Sequence, residues 1–353
     1  MPIEHKLAHL FGYDHVVMLG RARSGLVALL EVFQGENIPV LLPENICPVL
    51  VTAIRAGGGI AVTVPVSPET GLTDDATFVK AMNRFETPGI ISPTHLYGFQ
   101  GEYPRTIKLA REKGWFILEN DANATRFGTS GAFGDALLVS FGYAKPIEIG
   151  TGGALLTNDV SLAHHVAERV SGYDVLNNPA QKREEDCMLE RRAIRQNLDI
   201  NAEALRRICE LETNLSRFRF DEKNSEHLNL KFDQFPDELA RRMEQRDIWD
   251  RVLTPLDEIL QPIALQQPVP WRIIRRLPQN RDHFTRKLWA NGMDAGINYR
   301  SLWRELPPDY LTGLPSSPDL WGDRVLNLWA TKDYDKTRIE KTAHLLMEAA
   351  HEL

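Results

Sequence analysis

Short apolar runs separated by polar stretches fill the first 160 residues of the chain. The runs at 16–19, 39–42, 60–64, 89–91, 115–118, 137–141 and 154–157 are rich in Val, Ile and Leu, as strands buried on both faces are. The segments between them, 24–33, 48–55, 74–84 and 103–113, carry apolar residues at helical spacing. Strand and helix patterns in alternation predict βαβ units and a mostly parallel sheet. Residues 180–215 change character: they are charged, with Met188, Ile194, Leu198, Ile200, Leu205, Ile208 and Leu211 at helical spacing, which predicts long helices. The Pro-rich stretch 261–270 reads as a junction, followed by a strand over 271–277, a helix around 281–290 and an amphipathic helix over 339–351. The expected organisation is a large α/β domain (1–180), linker helices (181–260) and a small α+β domain (261–353).

Composition narrows the class. With 43% hydrophobic and 25% charged residues in 353, the chain has an ordinary globular make-up and enough length for two domains. A net charge of −7 and the absence of a Lys/Arg block argue against nucleic acid as a partner. No apolar run approaches the roughly 20 residues that span a bilayer, and the N-terminus lacks a signal-peptide pattern. Cys47, Cys187 and Cys209 have neither disulfide-like nor metal-ligand spacing, so a cytoplasmic setting without a metal site is expected.

One segment carries specific chemistry. Ser140-Phe141-Gly142-Tyr143-Ala144-Lys145 follows an apolar strand and leads into Gly150-Thr151-Gly152-Gly153-Ala154. A lysine there can form an imine with an aldehyde cofactor, and the glycines let backbone approach closely. Gly134-Asp135, Ser140-Phe141, Lys145 and Gly152-Gly153 keep the spacing of the lysine segment in the DegT/DnrJ/EryC1/StrS family of sugar aminotransferases, which the chain resembles. The resemblance implies α/β architecture of pyridoxal-phosphate (PLP) fold type I, aspartate-aminotransferase-like. It has a large lobe around a mostly parallel sheet and a smaller α+β lobe. It further implies PLP on Lys145, Ser140 at the cofactor phosphate, and a homodimer with a shared site.

Four further segments resemble the family in order. Gly20-Arg21-Ala22-Arg23-Ser24-Gly25 lies between a strand and a helix, where N–H groups suit a phosphate; Ser24 and Gly25 are the matched residues, with Arg23 where a small residue is usual. Ser92-Pro93-Thr94-His95-Leu96-Tyr97-Gly98 contributes His95, either packed near the cofactor ring or holding a structural hydrogen bond. Glu119-Asn120-Asp121-Ala122-Asn123 ends a strand where such sheets bind ligands. An ungapped match puts Asn120 at the position of the carboxylate on the pyridine nitrogen and Asn123 at a neighbouring amide. A shift of one puts Asp121 there, which the chemistry favours, because a protonated ring is the better electron sink. Cys47, in Pro43-Glu44-Asn45-Ile46-Cys47-Pro48, stands where relatives often put an aromatic ring against the cofactor.

The expected reaction is transfer of an amino group, from glutamate or glutamine, to a keto-sugar or related ketone. The stretch Gly172-Tyr173-Asp174-Val175-Leu176-Asn177 departs from the family's nucleotide-sugar segment. This keeps open a PLP enzyme of another reaction type on a non-sugar substrate, and a non-catalytic family member. Arg191-Arg192 and Arg206-Arg207 are expected on solvated helix faces. Arg272, Arg275 and Arg276 fall on a strand-like run, and one of them could hold an acidic substrate group bidentately. Trp271, Trp289, Trp303, Trp321 and Trp329 are expected in core or interface packing.

Overall fold

The computed structural model describes residues 2–34, 37–124, 127, 133–197, 202–313 and 320–353. Leu198 and Ile200 of the expected helical spacing lie outside them. The strands are β1 (His15–Leu19), β2 (Pro39–Pro43), β3 (Ile60–Val64), β4 (Ile90–Ile91), β5 (Phe116–Asn120), β6 (Ala136–Ser140), β7 (Gly153–Thr157), β8 (Asp174–Val175), β9 (Phe218–Arg219), β10 (Gln261–Pro262), β11 (Arg272–Arg276), β12 (Thr312–Gly313) and β13 (Val325–Trp329). Ten form one sheet in the order β12-β3-β2-β4-β5-β6-β7-β1-β9-β8; β10-β11-β13 form a second, antiparallel sheet. The large sheet is parallel from β12 through β6, and β7 pairs antiparallel with both β6 and β1.

Alternation along each strand explains the unbroken apolar runs. Val40 and Leu42 of β2 pack in the cluster that includes Val27, Leu30 and Val51, whereas Leu41 between them packs with Phe78, Tyr103 and Trp115. Likewise Leu138 of β6 faces the first cluster, and Leu137 and Val139 face Phe220, Phe232 and Phe235. Successive side chains point to opposite faces, so a sheet covered by helices on both sides needs apolar residues at every position. Each fully buried Leu, Ile or Val contributes about 1.5–3 kcal/mol relative to exposure.

The smaller sheet has its own core. Trp249, Leu253, Ile273, Phe284, Leu288, Leu328, Ile339 and Leu346 join β11 and β13 to the helices Phe235–Leu253, Arg281–Ala290 and Lys336–His351. A further, aromatic cluster bridges the two sheets: Leu72, Leu96, Tyr97 and Phe99 meet Trp271, Ile274, Trp321 and Val325. Trp271, Tyr97 and Tyr299 are stacked with ring centroids 6.1–6.4 Å apart.

Three features depart from the sequence pattern. The strands β8, β9 and β12 span two residues each, too short for any periodicity to register. The helix after β1 starts at Ala22, two residues earlier than expected. Arg191 is not solvated: it is 5% exposed and donates from Nε and Nη2 to Glu212 at 2.8 and 2.7 Å, with Nη1 on the Glu305 carbonyl. Its neighbour Arg192 and also Arg206 and Arg207 pair with Asp294, Asp309 and Glu190 in exposed settings.

At Gly98 the two lobes approach closely. The glycine's φ is +89°, and a Cβ there would lie 1.8 Å from the Val269 carbonyl oxygen. Gly98→Ala should therefore lower stability by at least ~2 kcal/mol, combining left-handed strain with a backbone clash. Urea unfolding measures this, and an unchanged midpoint would refute the close approach.

Candidate active site

The lysine turn grows out of β6 and returns into β7. Ser140 pairs with Gly153 across the two strands, Phe141 N–H donates to the Gly152 carbonyl, and Ile149 N–H donates to the Phe141 carbonyl. Between them the chain turns at Ala144, whose φ is +61°, and presents Lys145. The Trp271 indole N–H donates to the Ala144 carbonyl at 2.6 Å, so the residue just before β11 of the small lobe holds this turn from outside. Lys145 Nζ donates to Asn123 Oδ1 at 3.4 Å and lies 5.6 Å from the Trp271 ring centroid.

Burial pushes the Lys145 amine below the ordinary lysine range. Cys47 opposes the shift, Arg272 adds to it, and Asp121 opposes it, so these three side chains all lie within electrostatic reach of Nζ. Asp121 is fully buried just beyond β5, its N–H on the Leu138 carbonyl at 2.9 Å. Asn120 ends β5 and spends its Oδ1 locally on the Ala122 N–H at 3.3 Å. Of the two registers left open by the sequence, the one with Asp121 brings a carboxylate toward the lysine.

Asn123 links the lysine to the third segment: its Nδ2 donates to the His95 carbonyl at 3.4 Å. The His95 ring itself is fully buried and occupied. Nε2 meets Glu119 Oε1 at 2.8 Å, and Nδ1 accepts the Gly101 N–H at 3.3 Å, a network that assigns the proton to Nε2. The structural hydrogen bond is thus the reading of His95 that the geometry bears. Cys47 is half-buried in the loop after β2.

Ser24 and Gly25 need correction. With the helix starting at Ala22, Ser24 sits inside its first turn, fully buried, with its Oγ accepting the Phe218 N–H at 3.1 Å. A Cβ on Gly25 would lie 2.6 Å from Leu19 Cδ1, so this glycine lets helix and sheet pack closely. The helix start that faces the lysine turn is Arg21-Ala22-Arg23, and a Cβ on Gly153 would lie 2.6 Å from the Ala22 nitrogen. Arg21 and Arg23 both bind Glu184 of the helix Asn178–Asn197, Arg21 through Nε and Nη2 at 2.9 and 2.6 Å. The sequence offered only the unusual Arg23 as a hint of this cluster; the partner stands about 160 residues away.

A model of the DegT/DnrJ/EryC1/StrS aminotransferase family matches residues 2–344. The chain belongs to this family. GDP-perosamine synthase of Caulobacter vibrioides is 28% identical over 165 residues, 45% of this chain and 44% of that protein. GDP-perosamine synthase of Escherichia coli O157:H7 is 30% identical over 159 residues, 42% and 43% of the two chains. The matched segments span less than half the length of these curated relatives. Among solved structures, DesV of S. venezuelae superposes with a TM-score of 0.75 at 19% identity, covering 99% of this chain and 88% of that one. The fold is therefore PLP fold type I.

Members of this family depend on PLP, and the residues present fit that group. An amine of lowered basicity, a buried carboxylate and the first turn of a helix converge on one sheet edge, with glycine where the backbones touch. A depressed amine pKa leaves more Lys145 unprotonated at any given pH. Capture of pyridoxal phosphate by the cofactor-free protein, trapped with borohydride, should reach half its maximal rate below the ordinary lysine value of 10.5. A midpoint at or above that value would contradict the burial of the amine.

Proposed function

We propose that this chain is a PLP-dependent aminotransferase, moving an amino group from an amino acid, glutamate or glutamine, to the ketone of a sugar or a related molecule. The observation that carries the proposal is Lys145, its amine depressed by burial, hydrogen-bonded to Asn123 and within reach of the Asp121 charge. Names of relatives, GDP-perosamine synthase twice, support a sugar as acceptor.

Bound PLP supplies an electron sink for the pair released when a proton leaves the carbon bearing the amino group. Lys145 Nζ would hold the cofactor's carbonyl carbon at rest and then carry that proton between carbons, a task its lowered pKa suits. Asn123 Oδ1 would fix the direction of the amine. Asp121 would keep a proton on the ring nitrogen; a fully buried carboxylate gains most from such a cationic partner. Ser140 and the first turn of the helix Ala22–Phe33 would receive the phosphate. The aromatic cluster around Trp271 would hold the lysine turn in place from the small-lobe side.

A non-sugar acceptor is the second reading, favoured by the stretch 172–177. Tyr173 hydroxyl donates to Glu31 at 2.6 Å and Asn177 Oδ1 accepts the Ala180 N–H, so both side chains are engaged within their own chain. By likeness to the family we further propose a homodimer, for which sedimentation is the test. A cytoplasmic location accords with three free cysteines. No helix among the described residues is long and apolar enough to cross a membrane.

The purified protein should absorb in the visible, glutamate should bleach the band, and Lys145→Ala should lack it. A colourless protein that PLP cannot reconstitute would overturn the proposal. Asp121→Asn should retain the cofactor but lose about 10²-fold or more in turnover, because an amide cannot hold the ring proton. Conversion of a keto-sugar nucleotide with glutamate separates the sugar reading from the non-sugar one.

A further inference from the structure

Three arginines lie on β11, and their surroundings differ. Arg275 Nη2 donates to Asp250 Oδ1 at 2.6 Å, and Arg276 donates from Nε and Nη2 to Gln261 Oε1 at 3.1 and 2.5 Å. Arg272 is 4% exposed, and its Nη1 is buried without an acceptor. Its Cζ lies 3.1 Å from the Trp329 ring centroid and 4.8 Å from that of Trp271. Neighbouring charges offer it no hydrogen bond among the described residues. Arg242 is held by Glu238, Asp294 by Arg192, and Glu148 acts on it only at a distance. Burial first, and then the positive Arg242, push the Arg272 guanidinium down to about 9. A buried cation without a hydrogen-bonded anion is expensive, and the two indole faces offset only part of that cost.

Arg272 stands beside the reaction centre. The Trp271 indole that it touches also lies 5.6 Å from Lys145 Nζ and is tied to Ala144. Tyr143, two residues before the lysine, is within electrostatic reach of Arg272 and is 65% exposed, so solvent reaches this side of the site. We propose that Arg272 is the receptor for a carboxylate of the amino donor. With indole rings against the guanidinium, an anion is left the in-plane edge, which suits a planar carboxylate held by parallel N–H bonds. A donor amino acid carries its carboxylate on the carbon that bears the reacting nitrogen, so the receptor has to stand beside the lysine, as Arg272 does. The negative charge also supplies the compensation that the protein itself withholds. This inference rests on the amino-transfer reading above, and its test is kept separable from it.

Glutarate, a dicarboxylate without an amine, is the probe. Titrated calorimetrically into the cofactor-loaded protein, it should bind Arg272→Gln about ten-fold or more weakly than wild type, with Arg272→Lys in between and the cofactor band unchanged in both. Equal affinity in Arg272→Gln would overturn the inference. In steady state, the KM for glutamate should rise in Arg272→Gln while that for the ketone stays. A rise confined to the ketone would assign Arg272 to the acceptor and overturn the inference. If Arg272→Gln loses its native circular dichroism, a crystal structure of wild type with glutarate decides. A carboxylate oxygen within hydrogen-bond distance of the guanidinium supports the inference, and a seat elsewhere refutes it. Absence of any cofactor band would sink the amino-transfer reading alone, since glutarate binding to the same protein still judges Arg272.

Discussion

The Trp271 indole donates its N–H to the Ala144 carbonyl at 2.6 Å, and the geometry of the site hangs on that bond. Ala144 sits in the left-handed region, a conformation that a residue with a Cβ adopts at a cost of order 1 kcal/mol. The turn that contains it is closed by the Lys145 N–H on the Gly142 carbonyl at 3.3 Å and a bridge between Gly142 and Gly150, and the indole adds an anchor from the other lobe. Trp271 can do so because it stacks with Tyr97 from the large lobe and Tyr299 from the small one. The indole thus fixes the lysine turn and, through Arg272 next to it in sequence, the position of β11 relative to that turn. A side chain that looked like simple packing in the sequence is the joint between the two lobes.

Buried charge is handled in two ways in this molecule. Structural pairs are closed: Arg191 with Glu212, His95 with Glu119, and Arg21 and Arg23 with Glu184 each find a partner within hydrogen-bond distance. Such pairs are weak evidence for stability, because desolvation offsets most of the attraction, but removing one partner is costly. The groups near the lysine turn are arranged differently. Lys145 has one long hydrogen bond and a depressed pKa, and Arg272 has none among the described residues. Basic groups close together disfavour each other's charge and favour anions, which suits a site expecting a phosphate and a carboxylate.

Much of the fold was legible because its strands are buried on both faces. Continuous apolar runs at 39–42, 60–64 and 137–141 could not be mistaken for half-exposed strands, and each lies within a residue of the strand observed. The two-residue strands β8, β9 and β12 were not legible, since pairing partners and not their own residues define them. The same reason hid the burial of Arg191: the helix pattern around it is charged, and only Glu212 across the helix pair makes the interior tolerable. Ser24 was misread for a local reason. It was matched to the phosphate-binding turn ahead of a helix, but the helix begins two residues earlier and the hydroxyl accepts the Phe218 N–H.

By itself the sequence determined the βαβ order, the lysine between a strand and a glycine cluster, and an acidic or amide residue at the end of β5. Those features are local: periodicity, spacing and residue chemistry within a dozen positions suffice to state them. Tertiary structure alone decided that the Asp121 charge acts on Lys145 while Asn120 accepts the Ala122 N–H, that His95 is spent on Glu119, and which arginine of β11 has indole faces in place of an acceptor. Each of those depends on groups far away in the chain, such as Asp250 for Arg275 and Trp329 for Arg272. Electrostatics and hydrogen bonding act through space, so the state of a buried polar group is set by its neighbours in three dimensions, which no stretch of sequence around it contains.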